Sequence, residues 1–106
     1  MTALMKSPSA LKKIQAEVRK LVREKGRVDE EDIQELPYLK AVIKETLRLY
    51  PPAPLLGPRE TTQECTIEGY EIKYKTLVFI NAWTIGRDPE CWKSPDDFMP
   101  ERFLNS

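Results

Sequence analysis

The chain has 106 residues, 41% hydrophobic and 32% charged, and its 17 Lys plus Arg are balanced by 17 Asp plus Glu. That composition suits an ordinary globular segment rather than a disordered tail, and zero net charge argues against nucleic-acid binding, which usually needs a basic surplus. The absence of histidine excludes a Ser-His-Asp triad, a Cys-His dyad and a histidine metal site, and two cysteines make no disulfide framework.

Met1 to Lys6 is apolar on one side and reads as the last turns of a helix. Ser7-Pro8 is a helix start, with serine as cap and proline at the first position. Leu11, Ile14, Val18, Leu21 and Val22 then recur at helical spacing on a stripe about 100° wide. Lys12, Lys13, Glu17, Arg19, Lys20 and Arg23 cover the rest, and Gly26 is a C-terminal stop. A basic amphipathic helix can bind a membrane surface or calmodulin. This stripe lacks Trp and Phe, and glutamates interrupt its basic face, so the pattern favours a packed helix. Asp29 to Asp32 reads as a capped first turn, Asp29 being the cap, of a short helix reaching Glu35, with the acidic run as a solvated face.

Pro37 starts the central helix, and Pro51 and Pro52 stop it, because the residue before a proline is pushed out of the α region. Tyr38, Leu39, Val42, Ile43, Leu47 and Leu49 form one broad apolar arc, with Lys40 and Lys44 opposite. Glu45 and Arg48 are three residues apart at the edge of this arc, hence surface neighbours. By spacing alone they are an exposed ion pair worth about 0.3–0.5 kcal/mol or a partly buried one. After Pro54 the period changes. Cys65 to Ile67 and Tyr70 to Ile72 read as a hairpin joined by Glu68-Gly69, and Tyr74-Lys75 is a second turn. Thr76 to Ala82 (TLVFINA) is the most apolar run and reads as a buried strand. Trp83 to Arg87 is a helical turn, while Asp88-Pro89 and Ser94-Pro95 mark loops. The whole is an α+β segment: three helices, a small antiparallel β-sheet and a coil carrying Pro100-Glu101-Arg102-Phe103 (PERF). No apolar run is long enough to span a bilayer and no secretory leader is visible. This fits a cytosolic protein and equally a piece of one anchored elsewhere.

Three motifs in fixed order, KETLRLYPPAPLLGPRE, NAWTIGRDPECW and PERF, closely resemble the cytochrome P-450 family of haem-thiolate monooxygenases, among them the plant microsomal type. The resemblance covers nearly the whole chain. It implies that residues 1–106 are a partial domain of that mainly-α fold, a C-terminal-half fragment. The parts would be the end of the oxygen-binding helix, the following helices, the E-x-x-R helix, the β region and the PERF loop. Glu45 and Arg48 would pair with Arg102 in a structural triad. Arg59 would donate to a haem propionate, and Ala53, Leu55 and Leu56 would contact substrate, their other reading being plain core filling. The family's axial cysteine follows PERF in a glycine-rich loop, which this chain would not reach before Ser106. Cys65 and Cys91 stand in no such context and are expected to be small buried hydrophobes rather than ligands. No residue of this chain would be catalytic and none would bind metal.

The intact parent is expected to insert oxygen from O2 into an apolar small molecule of secondary metabolism. It would carry haem, take electrons from an NADPH-dependent flavoprotein reductase, and sit on the cytosolic face of the endoplasmic reticulum membrane through an N-terminal anchor outside this sequence. It would bind no nucleic acid. The chain alone is expected to be inactive. Two further readings stand beside it: a non-catalytic truncated product, and a small helical interaction module using Pro8 to Lys25, which would need a self-sufficient core.

Overall fold

Prolines at the first helical position start both long helices of the computed structural model, which describes residues 2–104. A single turn, α1 (Thr2–Met5), leads into α2 (Pro8–Lys25); Met1, Asn105 and Ser106 lie outside the described residues. Ser7 stands at the cap position, but its side chain makes no cap hydrogen bond; its N–H donates to the Leu4 carbonyl at 3.0 Å and its carbonyl accepts from the Leu11 N–H at 3.1 Å. Gly26 ends α2 in the left-handed region, φ 80°, and its N–H reaches the Val22 carbonyl at 2.8 Å. Ala10, Ile14 and Leu21 are buried along α2, Leu11 and Val18 are half-buried, and Val22 is exposed.

The acidic stretch departs from expectation. It forms a 3-10 turn, Glu31–Glu35, and the capping runs the other way. The Asp32 carboxylate reaches back to accept from the Asp29 N–H at 2.9 Å and from Lys25 Nζ at 2.5 Å. The lysine at the end of α2 draws this carboxylate inward, so Asp32 is buried rather than solvated.

Next comes α3 (Pro37–Leu49). Its first amides are capped from another helix: Glu17 of α2 accepts from the Tyr38 N–H at 2.8 Å and the Leu39 N–H at 2.9 Å, one on each carboxylate oxygen. The buried positions are Tyr38, Ala41, Val42, Glu45, Arg48 and Leu49. Ile43 and Leu47, expected on the apolar arc, are exposed. The inner face is turned toward Glu45 and Arg48, because their many polar partners lie there.

From Tyr50 to Pro58 the chain is irregular, with a turn at Pro54-Leu55 closed by the Leu56 N–H donating to the Ala53 carbonyl at 3.0 Å. The expected sheet is two separate antiparallel ladders. In one, β1 (Arg59–Glu60) pairs with β4 (Leu77–Val78), Arg59 opposite Val78 and Glu60 opposite Leu77. In the other, β2 (Cys65–Ile67) and β3 (Tyr70–Ile72) form the expected hairpin. Its turn residues Glu68 and Gly69 both have positive φ, 48° and 86°, as a type I′ turn requires. The TLVFINA run is not a buried strand. Only Leu77 and Val78 pair, and Leu77, Phe79 and Ile80 are exposed, since a two-stranded ladder among these residues offers no second layer to cover either face.

The helical turn α4 (Ala82–Ile85) follows, capped by the Asn81 side chain accepting from the Thr84 N–H at 3.1 Å. Coil then leads to a 3-10 turn, Pro100–Phe103, packed on α3. The hydrophobic core is Ala10, Ile14, Tyr38 and Val42, flanked by Leu4, Val18, Leu39 and Phe98. Such a core is small. The radius of gyration is 18.9 Å, against about 13 Å for a compact chain of this length. The helices and the PERF turn gather at one end, and the ladders extend away from them.

Candidate functional site

Glu45 sits two-thirds of the way along α3 with no solvent exposure at all. A buried carboxylate is costly unless charge and hydrogen bonds compensate it, and this one is saturated. Arg48 binds it with a two-pronged fork, Nε to Oε2 at 2.7 Å and Nη2 to Oε1 at 2.8 Å. Arg102 adds Nε to Oε1 at 3.2 Å, and the Met99 N–H donates to the same oxygen at 2.8 Å. The α-helical i, i+3 spacing sets the first contact; the 3-10 turn that carries Arg102 brings the second.

The two guanidinium groups are themselves held by backbone carbonyls. Arg48 donates to Gly86, Pro95 and Asp97. Arg102 donates to Lys93 at 2.9 Å and Ser94 at 3.2 Å. Every acceptor but Gly86 lies in the coil between α4 and the PERF turn, so the cluster closes that coil onto α3. All four Glu45 contacts are charge-assisted, and the side chain is shut off from solvent. The arrangement therefore suits a clamp and not a general base, which must reach the proton it removes.

A second set of contacts holds the same turn. Glu101 accepts from Lys13 Nζ at 2.5 Å and from the Tyr38 hydroxyl at 3.1 Å, so α2, α3 and the PERF turn meet at one carboxylate. The Lys13 hydrogen bond keeps the Glu101 carboxyl below its usual range. Burial, and then the hydrogen bond to Glu101, push the Tyr38 hydroxyl up to about 12.

Glu45, Arg48 and Arg102 are thus brought together. Arg59, Ala53, Leu55 and Leu56 are not; all four are exposed and away from that cluster. The core-filling reading of Ala53, Leu55 and Leu56 does not describe them in this structure. Leu56 also has a positive φ, 52°. Cys65 and Cys91 are exposed, contrary to the expectation of burial. Cys65 lies on the uncovered hairpin, and Cys91 lies in a loop beside Asp88. Among the described residues no group of three His, Cys, Asp or Glu could hold a metal ion, and no helix is long and apolar enough to cross a membrane.

Sequence reasoning missed Glu17, Gly86 and Trp92 as contributors to this site. Only Trp92 carried a signal, as an aromatic within the second motif. Glu17 and Gly86 act across long sequence gaps and carried none.

Comparison with known proteins bears on the whole chain. The cytochrome P450 family model matches residues 1–106. The chain is 56% identical over 106 residues to cytochrome P450 71A1 of Persea americana, covering 100% of this chain and 21% of that protein. It is equally 56% identical over 106 residues to tabersonine 16-hydroxylase 2 of Catharanthus roseus, again covering 21% of the relative. The chain thus spans about a fifth of the length of these curated relatives. Among solved structures, a zebra fish cytochrome P450 determined with progesterone superposes with a TM-score of 0.88 at 35% identity, over 97% of this chain and 24% of that one. Together with the buried Glu45 cluster and the elements that carry it, these matches show that the chain belongs to the cytochrome P450 family.

Proposed function

We propose that this chain is the scaffold segment of a haem-thiolate monooxygenase, forming part of a single family domain, and that the Glu45–Arg48–Arg102 cluster is its structural lock. The observation that carries this reading is the shared carboxylate of Glu45, which ties α3 to the PERF turn through two arginines. In that enzyme the PERF turn would lead toward the loop carrying the haem's cysteine ligand, and the lock would set where that loop starts.

The residues present fit haem on its propionate side. Arg59 exposes a guanidinium that has no partner among the described residues, and its planar fork of donors matches a carboxylate. Neither exposed cysteine fits the axial role. Bound haem with its cysteine thiolate supplies the oxygen-activating chemistry. Ala53, Leu55 and Leu56 offer exposed apolar surface beside Arg59 in sequence, which suits contact with an apolar substrate. Relatives named as a tabersonine 16-hydroxylase and a 6,7,8-trihydroxycoumarin synthase point to a small molecule of plant secondary metabolism. Electrons would come from an NADPH-dependent flavoprotein reductase at the endoplasmic reticulum membrane.

The test is to sequence the transcript through both ends of this frame and express the complete product. Continuation past Ser106 into a glycine-rich loop with a cysteine, together with a haem-thiolate reduced-CO spectrum, is the expected result. A stop directly after Ser106 would overturn the enzyme reading and leave a non-catalytic truncated product.

A further inference from the structure

The Glu45 cluster sets one carboxylate against two guanidinium groups. Carbonyl oxygens satisfy the guanidinium N–H groups, which point outward in the plane of each arginine. They do nothing for the flat faces, and a buried cluster with excess positive charge gains from a compensating negative potential there. The face of an aromatic ring provides it. Trp92 stands at that place. Its ring centroid is 5.1 Å from the Arg48 guanidinium carbon and 5.9 Å from that of Arg102, both within the range of cation–π attraction.

The orientation of this ring is fixed from two further sides. Its indole N–H donates to the Ile85 carbonyl at 3.0 Å, at the end of α4. Phe103 packs beside it, centroids 5.7 Å apart and planes inclined at 53°. Trp92 therefore touches α3 through Arg48, the PERF turn through Arg102 and Phe103, and α4 through Ile85. We infer that Trp92 is a positioning residue of the lock, acting through its π face on both arginines that share Glu45. The inference rests on the monooxygenase reading for its functional consequence, though not for its geometry.

The experiment uses the full-length enzyme carrying this chain and compares wild type, Trp92→Phe and Trp92→Leu. The rate of haem loss to an acceptor apoprotein and the denaturation midpoint are both read. Haem loss is expected to quicken from wild type to Phe to Leu, reaching about tenfold for Leu, the scale of a desolvated cation–π contact. The midpoint is expected to fall in the same order. A second series places tryptophan carrying successive fluorine atoms site-specifically at position 92 of the full-length enzyme, every other residue being unchanged. Fluorination weakens the ring's negative face while keeping its shape and its N–H. Stepwise faster haem loss and stepwise lower midpoints along that series are expected. A flat series, or Leu equal to Phe, would overturn the inference and leave Trp92 as filler. A wild-type enzyme without a haem-thiolate spectrum would overturn the monooxygenase reading instead, and the order of midpoints would then decide the role of Trp92 alone.

Discussion

Glu45 and Arg102 stand 57 positions apart in the chain, and their side chains meet at 3.2 Å around a carboxylate that no solvent reaches. Arg48 occupies the same carboxylate from within α3. Removing Glu45 leaves a buried Arg48 and a half-buried Arg102 without the anion they share. Removing Arg48 leaves a buried anion with half its compensation. Breaking a buried pair in this way costs about 3–5 kcal/mol. In the full-length enzyme, Glu45→Ala and Arg48→Ala are expected to abolish haem incorporation, judged by the reduced-CO spectrum of the purified protein. A normal spectrum from either variant would remove the lock from the proposal.

Glu17 acts as a cap supplied from a neighbouring helix. It neutralises the first two free amides of α3 with both carboxylate oxygens, where negative charge is also favoured by the helix dipole. Glu17→Ala is expected to cost about 1–2 kcal/mol, the range of a lost N-terminal cap. Hydrogen exchange should localise the effect, with the Tyr38 and Leu39 amides losing protection first. Unchanged exchange at those two amides would show that the cap contributes nothing.

Gly86 has an ordinary φ of −67°, so its need for glycine is steric. A Cβ there would lie 2.6 Å from the Arg48 carbonyl oxygen and 3.3 Å from that of Ala82. Both obstacles are backbone and cannot swing aside. Gly86→Ala is expected to destabilise by about 1–3 kcal/mol, as overpacking does, and to push α4 away from Arg48. A denaturation midpoint equal to wild type would contradict the fit.

The contacts of the PERF turn make stability depend on pH at both extremes. Tyr38 titrates at about 12 in the folded chain against an ordinary 10.0. A raised tyrosine value favours the neutral hydroxyl, so its contribution is complete below pH 10.0 and is lost as pH rises toward 12. Glu101 is depressed below its ordinary 4.5, first by Lys13. Its contribution is present above that value and is lost as pH falls through the folded one. Tyr38→Phe should flatten the alkaline limb of a stability–pH curve, and Glu101→Gln the acid limb. Curves parallel to wild type would show that these two groups do not couple to folding.

Ala53 is exposed on the irregular stretch after α3. If that stretch lines the substrate space, a larger side chain must displace the substrate rather than the core. Ala53→Leu and Ala53→Phe in the full-length enzyme are expected to change the position of oxygen insertion with haem content retained. Product analysis by chromatography checks this, and an unaltered product distribution would take Ala53 out of the substrate contact set.

Much of the architecture was legible because its causes are local. Pro8 and Pro37 start helices, Gly26 and Pro51 end them, and Glu68-Gly69 turns a hairpin, each through steric or hydrogen-bond rules acting within a few residues. The E-x-x-R spacing likewise put Glu45 beside Arg48. Tertiary structure decided the rest. It chose which side of α3 faces inward, leaving Ile43 and Leu47 exposed while burying Glu45. It buried Asp32 in a run that reads as solvated, and it left the apolar TLVFINA run uncovered. It also placed Glu17 at the start of α3, Gly86 under Arg48 and Trp92 over two arginines. The reason is that burial and saturation of a charge depend on groups tens of residues distant, and a periodicity read over one or two turns carries no information about them.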